Sequence, residues 1–297
     1  MRFALCLSLF VLLSGCEGGV APIDAKKVLS KLDGPKVQTV SETLAANAAK
    51  ASQQGDFTLA AQLYEQALEK QPDNKEWIVA LAEAYRRDGE IAKAVAVYDA
   101  ALELDGGLAS AKEGKALALM EKGDFETPVT LLDEVIKAEP GRWRALNAMG
   151  ILFSVRGMQA EAQTYFDAAL AQNPSSPSIL NNKGLSLALE KRYDEASSSL
   201  IHASNLATIG SVDRKRVELN LSLVYAASGN IQEAEAIANR YFTGAALKNN
   251  LGLYAHLADD DQLAKAYLNM ALTESKVFYE RAWDNLQQIN TESASPH

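Results

Sequence analysis

The chain has 297 residues, 48% of them hydrophobic, and a formal net charge of −9. That acidity argues against nucleic acid and against electrostatic adhesion to anionic lipid, and it favours solubility and a basic partner surface. The two cysteines, Cys6 and Cys16, both lie near the start and offer no disulfide framework and no cysteine metal site.

Arg2 is followed by an apolar run, Phe3 to Leu13, that is too short for a permanent membrane helix. It ends in Leu13-Ser14-Gly15-Cys16. This resembles the bacterial lipobox, at which signal peptidase II cuts before a lipidated cysteine. The alternative is an ordinary secretory signal with an incidental cysteine. With residues 1–15 as the signal peptide, the mature chain keeps Cys16 as its one thiol, and loss of Arg2 takes the charge to −9 − 1 = −10. A lipoprotein cysteine typically carries three acyl chains, each buried methylene contributing about 0.8 kcal/mol, so the anchor is expected to be permanent. Glu17, where an Asp would favour inner-membrane retention, points to the outer membrane with the protein facing the periplasm. Residues 16–40 read as a tether, interrupted by Gly18, Gly19, Pro22, Gly34 and Pro35.

From Ser41 onward one pattern recurs. Its clearest copy is Trp143 to Ser176, two helices joined at Gly157. Leu146, Met149, Gly150 and Phe153 mark the first helix, Ala162, Phe166 and Ala169 the second, and Pro174 the break. The small residues sit where two helices approach closely, and the large ones fill the space beside them. A step of 68 residues, twice the 34-residue period, carries Gly157 back to Gly89 and a further 34 carries it to Gly55; the same steps carry Phe166 to Tyr98 and Tyr64. These offsets are similar to those of tetratricopeptide repeats. The resemblance implies an all-α superhelix, an α-solenoid of about seven helix-turn-helix repeats over residues 41–275.

Three irregularities follow in chain order. The third unit, residues 109–142, has Lys115 at a usually apolar position and Pro128 where the second helix normally carries a packing alanine, which makes it a weak joint. Ser211 to Arg214 reads as a spacer before the sixth unit. Tyr279, Ala282, Trp283, Leu286 and Ile289 form a stripe expected to cap the last hairpin over residues 276–290, with a disordered tail over 291–297.

No catalytic, cofactor or metal motif emerges. The three histidines stand apart, and no H-E-x-x-H, G-x-S-x-G or phosphate-binding Gly-Lys loop occurs. The chain therefore reads as a non-enzymatic protein with no cofactor and no small-molecule substrate. On a helical wheel, the side of each first helix opposite its packing stripe carries Asn147 and Ile151, then Asn181, Asn182 and Leu185. Asn220 and Leu223, and Asn249, Asn250 and Leu253, follow. A carboxamide can donate to and accept from a peptide backbone, and the aliphatic row can take side chains. This row is a candidate peptide-binding groove. Equally, the asparagines can bond to a neighbouring helix.

Leu180 to Ala196, Asn220 to Ala238 and Leu247 to Leu257, together with the lipobox, are similar to TadD-type lipoproteins of the tight-adherence (Flp) pilus system. That resemblance implies a pilotin-like accessory for assembly of an outer-membrane secretin, with an extended segment of the secretin as partner. The alternatives are a general cell-envelope scaffold, in outer-membrane protein insertion or peptidoglycan synthesis, and a periplasmic chaperone for exported pilin subunits.

Overall fold

The computed structural model describes residues 39–294. Cys16, the signal and the tether lie outside the described residues, apart from the last positions of the tether. The described residues form fifteen α-helices and no strand. They divide into two compact units, whose described parts are residues 39–149 and 150–294.

The first unit holds α1 (Val40–Gln53), α2 (Phe57–Leu68), α3 (Lys75–Arg87), α4 (Ile91–Leu104), α5 (Ala109–Glu121) and α6 (Thr127–Ala138), and the start of α7 (Trp143–Val155). The second holds the rest of α7, then α8 (Gln159–Gln172), α9 (Pro177–Leu189), α10 (Tyr193–Leu206), α11 (Val212–Ala227), α12 (Ile231–Tyr241), α13 (Gly244–Leu257), α14 (Asp261–Glu274) and α15 (Glu280–Ala294). Helices pair as antiparallel hairpins, and the odd-numbered first helices also touch one another: α1, α3 and α5 in one unit, and α9, α11, α13 and α15 in the other.

Local chemistry sets the helix starts. Thr39 and Glu42 form a reciprocal capping box at α1. Asp56, Asn74, Ser176, Ser211 and Asp260 each accept from a backbone N–H in the first turn that follows. The turn between the helices of a hairpin needs a left-handed residue, and Gly55, Gly89, Gly123, Gly157 and Gly229 supply it with φ between +76° and +89°. In the fifth and seventh hairpins Lys191 (φ +62°) and Asp259 (φ +63°) hold that conformation without glycine.

The hairpins close on small-to-large contacts. Phe166, Leu200 and Leu268 are fully buried on the second helices, and each lies against a glycine of its own first helix: Gly150, Gly184 and Gly252. Burial of one such side chain stabilises by about 1.5–3 kcal/mol. In the first unit, Tyr98 lies so close to Gly114 of the next hairpin that an added Cβ would meet its ring at 2.2 Å.

The irregular third hairpin is whole. Lys115 reaches Asp99 at 2.5 Å, and Pro128 is buried in the first turn of α6, where its missing N–H is not needed. Ser211 to Arg214 is not a spacer. Ser211 caps α11, and Val212 to Arg214 are the opening turn of a longer first helix. The terminal helix lies over the last hairpin through Ala282, Leu286 and Ile289 as expected, while Trp283 faces outward beside Phe278. It continues through Thr291 to Ala294, beyond the expected end at 290. No described helix is long and apolar enough to cross a membrane.

Candidate partner-binding surface

The asparagine row lies mostly inside the second unit. Asn181, Asn182, Asn220 and Asn249 are buried, as are Ile151, Leu185 and Leu223. Asn220 donates to Asn181 Oδ1 at 2.8 Å, which joins α11 to α9. Asn181 donates in turn to Asn182 Oδ1 at 3.3 Å, and Asn249 accepts from Asn285 of α15 at 3.0 Å. Asn220 with Asn181, and Asn249 with Asn285, are therefore rungs between helices, and Asn182 is buried beside Asn181. This corrects the groove assignment for Asn181, Asn182, Asn220, Asn249, Ile151, Leu185 and Leu223. The reason is geometric: a first helix packs on its hairpin partner along one side and, within the second unit, on the next first helix along another. The side opposite the hairpin partner is therefore not a solvent side. Asn147, Asn250 and Leu253 are half-buried and keep some open surface, although Asn250 already donates to its own helix at Ala246 O, 2.8 Å away.

A second buried polar centre joins α10, α11 and α12. Glu218 accepts from Arg214 Nε (2.9 Å), Ser204 Oγ (3.1 Å) and the Tyr241 hydroxyl (2.5 Å), and Arg240 Nη1 lies 3.0 Å away. Burial alone would raise its carboxyl pKa. The hydrogen bonds from Tyr241, Arg214 and Ser204 and the charge of Arg240 outweigh burial and hold it below the usual range.

The first unit carries a different chemistry on its first helices, one that the sequence reading missed. Arg86 is buried between two carboxylates. It donates to Glu83 through Nε (2.9 Å) and Nη2 (2.7 Å), and through Nη1 to Glu121. The Tyr98 hydroxyl donates to Glu83 at 3.0 Å. Glu113, buried on α5, lies 3.5 Å from Arg142. Burial pushes the carboxyls of Glu113 and Glu121 up, only partly offset by Arg142 and Arg144 in one case and by Arg86 in the other. For Glu83 burial is again the largest influence, but the bonds and charge of Arg86, with Tyr98 and Arg144, bring it below the ordinary value.

Beside this lattice is a cavity of about 400 Å³ whose lining includes Ser52, Gln53, Phe57, Glu83, Arg87 and Arg144. The Arg87 guanidinium lies 4.7 Å over the Phe57 ring, and that of Arg144 lies 5.4 Å from the Trp143 ring. The available signal in the sequence was arginine at Arg86-Arg87 and Arg144 on first helices, and at Arg142 just before one, in an otherwise acidic chain.

With this geometry in place, the comparisons with known proteins are direct. Two profiles described as tetratricopeptide repeat match residues 51–117 and 159–199. No curated protein matches the sequence. Among solved structures, a tetratricopeptide repeat protein from Parabacteroides merdae shares 18% identity at a TM-score of 0.59, covering 84% of this chain and 98% of that one. PilW, described as a widely conserved type IV pilus biogenesis factor, shares 18% identity at a TM-score of 0.58, over 73% of this chain and 98% of its own. The Cut9–Hcn1 complex of APC/C gives a TM-score of 0.68 at 15% identity; 89% of this chain is covered, but only 51% of that one. At these identities the likenesses concern the fold. The fold is all-α and built of tetratricopeptide repeats.

Proposed function

We propose that this chain is a lipid-anchored, non-enzymatic adaptor that assists assembly of a pilus or secretion-system secretin in the outer membrane, as TadD-type lipoproteins do. Its tetratricopeptide repeats make it a protein-interaction scaffold, and the matched profiles describe repeat modules rather than a catalytic family. The observation that carries the reading is the repetition of hairpins within each unit, which leaves first helices in serial contact there and presents side chains from several repeats to one partner. The similarity in fold to a type IV pilus biogenesis factor over 73% of the chain is consistent with this. So is the lipobox-like Leu13 to Cys16, which would place the scaffold at the periplasmic face of the outer membrane.

The test is secretin assembly in cells. Deletion of the gene should reduce heat-resistant secretin multimers in the outer-membrane fraction. Cys16→Ser should reproduce the defect while the protein itself is still made. Normal multimers in the deletion strain would rule out the accessory role.

A further inference from the structure

We propose that the connection between α14 and α15 is a membrane-contact site, at which Val277, Phe278 and Trp283 insert into the headgroup region of a zwitterionic bilayer. The site is separate from the secretin partner suggested above. It does not require the acyl anchor proposed at Cys16; with that anchor it is a second contact with the same bilayer.

The connection covers residues 275–279, after α14 ends at Glu274 and before α15 begins at Glu280. It has an inner and an outer side. On the inner side Tyr279 packs against the core of the last hairpin, and Ala282, Leu286 and Ile289 continue that contact along α15. On the outer side Val277 is 76% exposed, Phe278 70% and Trp283 44%. The Phe278 and Trp283 rings lie 6.2 Å apart at 56°, so the two aromatics share one apolar surface. Capping the hairpin does not use these three side chains. Trp283 belongs to the stripe expected to pack inward, and it is turned out instead. An apolar surface rimmed by polar residues marks a contact site.

The flanking charges select the kind of contact. Glu274, Lys276, Glu280, Arg281 and Asp284 are all exposed. Among the described residues none of the five forms an ion pair. Two cations and three anions suit a headgroup that carries both a phosphate and an ammonium group. Lys276 and Arg281 can reach phosphates on their long apolar stems, and the carboxylates can meet the ammonium. Against a protein, or a second copy of this chain, the same charges would have to be desolvated or matched one by one around a three-residue apolar contact. Charged residues are depleted from the cores of such interfaces. A headgroup layer keeps them hydrated, and it is the layer in which tryptophan concentrates. The net charge of −9 repels an anionic surface, so the favoured lipid is zwitterionic.

The experiment uses the full chain carrying Cys6→Ser, Cys16→Ser and Val277→Cys, with bimane on the remaining thiol, and vesicles of phosphatidylcholine and phosphatidylethanolamine. The apolar run from Phe3 to Leu13 can bind lipid by itself, so the readout is local to the patch. Vesicles should shift the bimane emission to the blue, and lipids brominated on the acyl chain should quench it. Bimane placed instead through Ser198→Cys, at an exposed position of α10, should respond to neither. Phosphatidylglycerol in the vesicles should weaken the response at low salt. Phe278→Ser with Trp283→Ser should lower partitioning, read by the same probe, by about tenfold or more, since the burial of two aromatic side chains is lost. Circular dichroism must match the parent for this double variant to count, and quenching in the parent decides the question alone if the variant misfolds. No quenching at position 277, equal quenching at position 198, undiminished quenching in the folded double variant, or a preference for anionic vesicles would overturn the proposal. So would a blue shift without vesicles that grows with protein concentration, which would assign the surface to a second copy of the chain.

Discussion

Asn220 on α11 donates its side-chain amide to the side-chain oxygen of Asn181 on α9, 2.8 Å away, with both residues buried. The Oδ1 of Asn220 has no hydrogen-bond partner. The pair therefore sets the register of two successive first helices and is not matched on both sides. Loss of one member leaves the other unsatisfied, which costs about 1–3 kcal/mol, whereas loss of both is milder. Asn181→Ala and Asn220→Ala should each lower stability by that amount in urea titration. The double variant should be clearly less destabilised than the sum of the singles. Additive losses would mean that the two side chains do not act as a pair.

Lys191 and Asp259 hold left-handed backbone at the turn where five other hairpins use glycine. An L side chain there costs roughly 1–2 kcal/mol that glycine avoids. Lys191→Gly and Asp259→Gly should each raise the melting temperature, by an amount corresponding to about 1 kcal/mol after the added entropy of the unfolded glycine is allowed for. A lower melting temperature would show that these side chains stabilise more than their backbones strain.

Gly184 approaches Leu200 so closely that a Cβ would lie 2.9 Å from Leu200 Cγ and 3.1 Å from the Ala196 carbonyl oxygen. Gly184→Ala should destabilise the second unit by about 1–3 kcal/mol despite alanine's higher helix propensity. Gly184→Ala combined with Leu200→Ala should recover little, because the large residue's burial is then lost. Unfolding monitored by circular dichroism distinguishes these cases.

Glu218 gives a pH signature. Its folded carboxyl is held below the value of 4.5 taken for a free glutamate. A depressed carboxyl stabilises the fold above the unfolded pKa, and this contribution disappears as pH falls through the folded pKa. The window is therefore at and below about pH 4.5. Glu218→Gln should cost about 1.5–3 kcal/mol at neutral pH, the range for hydrogen bonds to a charged group, and should make the acid side of the stability profile shallower. An unchanged acid limb would place the pH dependence elsewhere.

The hairpins were legible because their period is local. Gly150 and Phe166, or Gly184 and Leu200, are partners within one repeat, and spacing alone aligns them. The helical opening of α11 was hidden because Ser211 to Arg214 reads as polar filler until Ser211 is seen to cap the Arg214 N–H. The asparagine row was misplaced because a helical wheel knows a helix's own stripe and not the next repeat, so Asn220 and Asn181 looked outward when they face each other. The cavity was out of reach for the same reason. Phe57, Arg87 and Arg144 belong to different repeats and meet only once the hairpins stack.

The most direct test of the scaffold reading is calorimetry of the full chain carrying Cys16→Ser against peptides from the C-terminal region of a secretin of the same organism, the partner class proposed above. The account predicts saturable binding of at least one peptide. That binding should weaken when the half-buried Asn250 and Leu253 are both replaced by alanine and persist when exposed Ser198 is replaced instead. Absence of any heat beyond dilution from a folded protein, across peptides spanning that region, would contradict it.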